Sequence, residues 1–439
     1  MPITRVTRFA AITVILVGLL VCPYTLLCEE AVGKSPDYKQ LRLFRQVMDI
    51  VQKNYVKEVP DTELIQAAIK GMVQNLDPHS SFLTEDEFKE LQVETKGEFG
   101  GLGIEITLEN GVLTIVSPIE DTPAFKEGLK AGDRITEIDG ETTKNMKLHD
   151  AVKKMRGPKG TKVVLKIMRK GFLKPETFTI VRDIIHVRSV KKQVLEKGYP
   201  YIRVAHFQEN TDVDLIEAIK EFGGDEEIKG LILDLRLNPG GLLYQAFKVA
   251  NLFLDKGLIV YTDGRVKDSR MHFSATQGGP HYKFKLAVLI NEGSASASEI
   301  VAGALQDHDR ALVVGTKSFG KASVQTIIPL ENGSGLRLTT AYYYTPKGRH
   351  IQKTGIEPDV DLKKEIEQQE EAELREELIK KDKKSNRSRF RERQIDPQKD
   401  IAVKAALQWL HSSKSVEEYK QEHQKPLADT AWYMKEDRQ

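Results

Sequence analysis

Apolar residues recur at intervals of three and four in "YKQLRLFRQVMDIVQKNYV" and "DTELIQAAIKGMVQNL", so residues 37–96 read as a helical region. Within it "LDPHSSFLTEDEF" reads as a turn leading into another short helix, with Thr84 and Glu87 at the spacing of a capping box. The period then shortens. Between 97 and 183, "GLGIEITL" and "GVLTIVS" alternate as short strands about a turn, and "GTKVVLKIMRKG" and "ETFTIVRD" add further strands. "KLHDAVKKMRG" is an amphipathic helix among them, and the whole segment reads as a small β-rich module.

From 184 to 362 strands and helices alternate. "GYPYIRVAHF", "GLILDLRL", "FKLAVLIN", "ALVVGT", "SVQTIIPL" and "GLRLTTAYYYTP" read as strands, and "DVDLIEAIKEF" and "LLYQAFKVANLFL" as helices, the pattern of an α/β or α+β core. A charge run over 363–396 reads as a solvated helix or linker. "DIAVKAALQWLHS" returns to helical spacing, and a polar tail follows.

The first thirty residues differ from everything after them. Arg5 and Arg8 precede an apolar stretch from Phe9 to about Leu27, which reads as a secretory signal or a short membrane anchor. Cys22 and Cys28 both lie there, and they are the only cysteines of the 439 residues, so the rest of the chain forms no disulfide and no cysteine-based zinc site. Lys+Arg number 66 and Asp+Glu 64, which argues against a nucleic-acid footprint.

Three stretches carry candidate chemistry. "NEGSASASEIVAGAL" places Ser294, Ser296 and Ser298 at a strand-to-helix turn, where backbone N–H groups point outward, as a nucleophile beside an oxyanion site would require. Ser296 with Glu299 also fits a plain helix cap. In "LILDLRLNPGG" the pair Gly240–Gly241 lets amides approach a ligand with no Cβ in the way, or makes an ordinary β-to-α turn. In "GTKSFGKASVQT", Lys321 serves as a base for a serine only if burial keeps it neutral; otherwise it is a solvated charge. Ser318-x-x-Lys321 and Lys353-Thr354-Gly355 imitate penicillin-binding motifs but lie too close together and lack the intervening S-D-N. "GLGIEI" has Ile106 where a dinucleotide fingerprint needs glycine. The ten histidines form no metal-binding spacing, and His308 reads as a surface residue.

Together these stretches resemble the carboxyl-terminal processing, or tail-specific, proteases. "DLRLNPGG", "GSASASEI" and "FGKASVQ" look like family motifs, Ser296 and Lys321 stand 321 − 296 = 25 residues apart, and "LDPHSSFLTEDEF" and "YYTPKGRHIQ" with "GIEPDV" are similar too. The resemblance spans about residues 37 to 362 and the late helix. It implies a nucleophile at Ser296, a general base at Lys321 and Gln325 holding the lysine side chain. Oxyanion donors would be the N–H of Ala297 and of Gly240 or Gly241. Ala322 stands where many members have glycine. The β-rich module resembles a PDZ domain. "GGLGI", with Gly101, Leu102, Gly103 and Ile104, matches its carboxylate-binding loop, and Arg156 matches a family arginine at the border of the PDZ domain and the protease, either coupling tail capture to Gln325 and Lys321 or lying as a surface arginine at a helix end.

The expected organisation is an α/β multidomain chain: a signal or anchor (1–30), a helical region (37–96), a PDZ domain (97–183), an α/β serine protease core (184–362) and a charged C-terminal helical region with a tail (363–439). The expected activity is cleavage of envelope proteins near their C-terminus, in the periplasm or cell envelope, with no metal or other cofactor. Expected partners are protein substrates with accessible C-terminal tails, further copies of the chain and an adaptor protein. Nucleic acid is not expected, and membrane contact is confined to the N-terminal segment. The rival is a non-catalytic PDZ scaffold that binds protein C-termini.

Overall fold

The computed structural model describes residues 37–369, 371 and 397–423, apart from 110, 120 and 188. The expected leader, most of the charged run and the last tail lie outside the described residues. The chain divides into two compact units, one ending at Pro78 and one starting at His79. In the first unit, α1 (Asp37–Asn54) and α2 (Asp61–Gln74) follow the periodicity of their sequences, and Pro60 sets the extended backbone from which α2 starts.

The second unit opens with β1 (Ser81–Leu83) and α3 (Glu85–Lys96). The expected cap of α3 is present. The Glu87 carboxylate accepts the Thr84 N–H at 2.7 Å, and Thr84 Oγ1 accepts the Glu87 N–H at 3.4 Å. Residues 81–83, read as part of a turn, are instead a strand. Three residues are too few to show a period, and their conformation is fixed by a partner far along the chain.

The β-rich module follows. The chain enters it on β2 (Glu98–Gly101) and runs through β3 (Ile104–Glu109), β4 (Val112–Pro118), α4 (Pro123–Lys126), β5 (Arg134–Ile138) and β6 (Glu141–Thr142). It continues through α5 (Leu148–Met155), β7 (Lys162–Met168) and β8 (Glu176–Val181), and leaves on β9 (Asp183–His186). The main sheet has the order β3-β4-β5-β7-β8, so β3 is an edge strand, and β2 pairs antiparallel with β9. Its own core contains Leu113, Ile135, Ile138, Val163, Leu165 and Ile180.

The remainder builds around a six-stranded sheet. After β10 (Val190–Glu196) and β11 (Tyr199–Val204) come α6 (Thr211–Glu221), α7 (Gly224–Glu227), β12 (Gly230–Asp234) and α8 (Leu243–Asn251). Then come β13 (Leu258–Gly264), β14 (His272–Ser274), β15 (Lys285–Ile290), α9 (Ala297–Asp307) and β16 (Leu312–Gly315). The last elements are β17 (Ser323–Pro329), β18 (Gly335–Tyr344), β19 (Val360–Asp361), α10 (Ile401–His411) and α11 (Val416–His423). The sheet order is β10-β11-β12-β15-β16-β19, parallel from β11 onward. A second sheet has the order β1-β18-β13-β14, with β17 also on β18.

Strand alternation puts Leu231, Leu233, Leu286 and Val288 on one face of the six-stranded sheet, in a cluster that includes Ala246, Val249 and Val301 from α8 and α9. Ile232, Ala287, Leu289 and Leu312 face the other way, against Val403, Ala406, Trp409 and Leu410 of α10. Both faces of a parallel sheet need cover, and α10 supplies the second. Trp409 is the largest residue there and is 2% exposed. We expect Trp409→Ala to cost about 3–5 kcal/mol of stability, read as a lower urea midpoint. An unchanged midpoint would mean that α10 does not hold that face.

Candidate active site

The buried strand β15 ends at Ile290, and the chain turns before starting α9 at Ala297. The three serines of this turn have different fates. Ser294 Oγ donates to the Leu235 carbonyl at 2.8 Å and accepts the Asn291 N–H at 3.0 Å. Ser298 Oγ donates to the Asn238 carbonyl at 2.9 Å. Both are fully buried and act as struts between the turn and the loop after β12. Ser296 is partly exposed, with φ 55° and ψ −113°, a conformation that a side-chain-bearing residue keeps only when its surroundings impose it.

Those surroundings are specific. Ala295 N–H donates to the Asn238 carbonyl at 3.0 Å, and Ser296 N–H donates to Glu299 Oε2 at 2.8 Å. The Tyr343 hydroxyl donates to the Ser296 carbonyl at 3.0 Å.

The loop after β12 supplies backbone. Asn238 is fully buried, donating through Nδ2 to the Val204 carbonyl and accepting the Gly240 N–H at 2.9 Å. Gly240 has φ 107°, and a Cβ there would sit 2.8 Å from Ser296 Cβ and 3.0 Å from the Ala297 nitrogen. No other residue could bring the chain so close to the serine. The Gly240 N–H is already used, whereas the N–H groups of Gly241 and Ala297 have no protein acceptor among the described residues.

Lys321 is brought in by the loop before β17. Glu299 Oε1 accepts Ser318 Oγ–H at 2.5 Å and Gly320 N–H at 2.7 Å; Oε2 accepts Lys321 N–H at 2.9 Å and Ser296 N–H at 2.8 Å. One buried carboxylate therefore fixes the backbone of both Ser296 and Lys321. Tyr343, 1% exposed, ties them a second time by donating to the carbonyls of Ser296 and Lys321. Burial pushes the Glu299 pKa up, against the pull of its four donors. Burial holds the Lys321 amine below the usual lysine range, the nearby Arg337 charge adds to this, and Glu299 opposes it. The Lys321 amine has no hydrogen bond or ion pair among the described residues.

Other residues singled out in the sequence are differently engaged. Gln325 Nε2 donates to Ser323 Oγ at 2.9 Å and, at 3.5 Å, to Thr339 Oγ1; no hydrogen bond joins it to Lys321 among the described residues. His308 lies at the far end of α9, its Nε2 2.7 Å from the Leu258 carbonyl. In the β-rich module, the Leu102 carbonyl accepts Ala124 N–H, and that of Gly103 accepts Ile119 N–H and Thr122 Oγ1–H. Among the described residues their own N–H groups have no acceptor outside regular strand pairing, so the 102–103 turn presents donors where β3 begins, with Ile104 its first residue. Arg156 ends α5 with its guanidinium 4.7 Å from the Phe99 ring centroid on β2. No hydrogen bond joins it to Gln325 among the described residues. No cluster of metal-ligating side chains occurs among the described residues.

Sequence reasoning saw Glu299 only as a capping residue and missed Tyr343 and Ser318 as structural partners of the site. The S-x-x-E spacing was the one visible signal. Nothing local marks Tyr343, because its contacts lie 47 and 22 residues away.

Comparison with known proteins finds matches to three families. Residues 198–362 match the model of peptidase family S41, residues 100–180 that of the PDZ domain, and residues 26–87 that of the activating protease CtpB N-terminal domain. The chain is 48% identical over 387 residues to a carboxy-terminal-processing protease of Bartonella bacilliformis, covering 85% of this chain and 88% of that one. It is 39% identical over 319 residues to a carboxyl-terminal-processing protease of Synechocystis sp., covering 71% and 74%. A solved photosystem II D1 C-terminal processing protease is 31% identical over 73% of this chain and 86% of its own, at a TM-score of 0.43.

The Glu299 hub makes a prediction. Glu299→Gln replaces an acceptor with an NH₂ group that faces backbone donors, at a cost of about 1–3 kcal/mol. The urea midpoint should fall, and peptidase activity should fall further than the loss of folded protein explains. Full activity in the folded variant would show that Glu299 does not align the two loops.

Proposed function

Because the chain belongs to peptidase family S41, the carboxyl-terminal processing serine peptidases, we propose that Ser296 and Lys321 form its catalytic dyad. On this reading it cuts envelope proteins near their C-terminus after the PDZ module has taken hold of the tail. The observation that carries the proposal is the shared anchoring of Ser296 and Lys321 on Glu299 and Tyr343, with Ser296 in a strained turn and the half-buried Lys321 amine without a partner among the described residues.

Ser296 Oγ attacks the scissile carbonyl, and the neutral Lys321 amine takes its proton. The developing oxyanion meets the N–H of Ala297 at the start of α9, where the helix dipole also favours negative charge. Gly241 is the better second donor of the glycine pair, because Gly240 N–H is held by Asn238. The amine then returns its proton to the leaving nitrogen, and water hydrolyses the acyl-enzyme.

The tail carboxylate binds at Gly101–Ile104, where the N–H groups of Leu102 and Gly103 are presented, and the tail adds as a strand along the edge of β3. Arg156 rests on Phe99 and Gln325 on Ser323 in this structure. Coupling between them therefore belongs to a rearranged state, in which Gln325 steadies the Lys321 amine. The segment 1–30 directs the chain to the envelope. Self-association and an adaptor protein complete the proposal.

Hydrolysis of unfolded casein tests the dyad. Ser296→Ala and Lys321→Ala should each lower turnover by more than about 10³-fold, with the double variant little worse than either, since the two act as a unit. Substantial activity in Ser296→Ala would identify the wrong serine.

The pH profile tests the base. Burial and Arg337 lower the Lys321 pKa, so the neutral amine gains population as pH rises. In wild type, kcat/KM should climb through that depressed pKa and then level off. A profile flat from acid to alkaline pH would exclude a lysine base.

A further inference from the structure

Leu237 stands between β12 and the glycine pair with φ 56°, in the left-handed region, and it is 53% exposed. A bulky side chain avoids that region unless its neighbours leave no alternative, and a half-exposed leucine gains little core packing in return. Its neighbours are held on both sides. Leu237 N–H itself donates to Asn291 Oδ1 at 2.9 Å. After it, Asn238 Nδ2 donates to the Val204 carbonyl at 2.8 Å, and the Gly240 carbonyl accepts the Phe207 N–H at 2.9 Å. Before it, Arg236 is gripped from two directions. Asp234 accepts its backbone N–H, Nε and Nη2 at distances between 2.6 and 3.1 Å. Asp400 accepts its Nη1 at 2.8 Å.

Asp400 differs from the other holders of this loop. Val204, Phe207, Asp234 and Asn291 lie within residues 198–362, the segment that matches the peptidase family, whereas Asp400 lies beyond it, at the start of α10. Its two oxygens have separate tasks. Oδ1 accepts the Val403 N–H at 3.0 Å and caps the helix, and Oδ2 accepts from Arg236. A cap needs an oxygen and no charge. The Arg236 guanidinium, 7% exposed, needs the charge.

We propose that Asp400 is a positioning residue for the reaction: through Arg236 it holds Leu237 in its strained conformation and keeps the Asn238–Gly241 loop aligned with the Ser296 turn. The proposal rests on the Ser296–Lys321 reading, with Gly241 as an oxyanion donor, and adds to it a residue outside the matched segment. Without the Asp400 charge, the chain before Leu237 is under-held and its φ relaxes toward negative values. That relaxation reaches the site by two routes. Forward, it passes through Asn238 to Gly240 and Gly241. Backward, it passes to the Leu235 carbonyl, which accepts from Ser294 Oγ, and to Asn291, both ties to the turn that carries Ser296. Either route shifts the oxyanion donors relative to the serine. A displaced donor weakens the transition state more than the bound substrate, so the loss falls on kcat.

The test uses the full chain and a fluorogenic peptide. Asp400→Asn keeps an oxygen for the Val403 N–H and removes the charge. Its kcat should fall about tenfold while KM stays within about twofold. Affinity for a peptide aldehyde, to which the serine adds reversibly as a hemiacetal, should fall with kcat and not with KM. Asp400→Glu keeps the charge and should restore part of kcat. The comparison specific to the proposal is made in Leu237→Asn, because asparagine adopts positive φ far more readily than leucine. With the strain relieved, adding Asp400→Asn should lower kcat by about twofold or less relative to Leu237→Asn alone.

A folded Asp400→Asn with wild-type kcat would overturn the proposal, even if its urea midpoint is lower. An equal loss of kcat in both backgrounds would overturn it too, since general destabilisation does not depend on the strain at Leu237. The dyad reading is checked on the same peptide. An inactive wild type, or activity that persists in Ser296→Ala, removes that reading and this proposal together, whereas failure at Asp400 alone leaves the dyad standing.

Discussion

The Glu299 carboxylate receives donors from two loops that arrive from distant parts of the chain, the turn at Ser296 and the segment 318–321. A buried carboxylate with four donors is satisfied; with three it would carry much of its desolvation cost uncompensated. The two loops can therefore hardly move apart without exposing that cost. Tyr343 reinforces the arrangement through carbonyls where Glu299 works through amides, so each of Ser296 and Lys321 is gripped on both polar faces of its backbone. The strained torsions of Ser296 persist because this frame over-determines them.

The frame in turn depends on the parallel sheet. The Ser296 turn extends β15, the Asn238–Gly241 loop follows β12, and these two strands are neighbours in register. Ser294 and Ser298 stitch the loops together at the carbonyls of Leu235 and Asn238. Arg236 leaves the same loop in the other direction, pairing with Asp234 beneath it and with Asp400 at the start of α10. Asp400 also caps α10 by accepting the Val403 N–H. The late helix is thereby joined to the loop that approaches the serine.

Much of this was legible beforehand. Long periodic runs such as "KLAVLI" and "AAIKGMVQ" specify their own conformation, and they fold as read. The strand at Ser81–Leu83 was not legible, since its state is decided by pairing with Arg337, Leu336 and Gly335. At the site, three serines on alternate positions look alike locally. What separates them is whether a carbonyl some sixty residues away lies within reach, as it does for Ser294 and Ser298. Sequence spacing suggested an S-x-x-E cap, and the structure contains the Glu299 half of it; that the same carboxylate also anchors Lys321 required the third dimension.

The pairing of β2 with β9 sets Glu98 opposite His186 and Gly101 opposite Asp183, so the β-rich module begins and ends at the same place. The chain before it has already joined the second sheet through β1, and the chain after it goes straight into β10. The module is thus an insertion at a single address, with its two ends about 5 Å apart. Rearrangements inside the module leave that one crossing where it is, so its packing and that of the α/β core are mechanically separable.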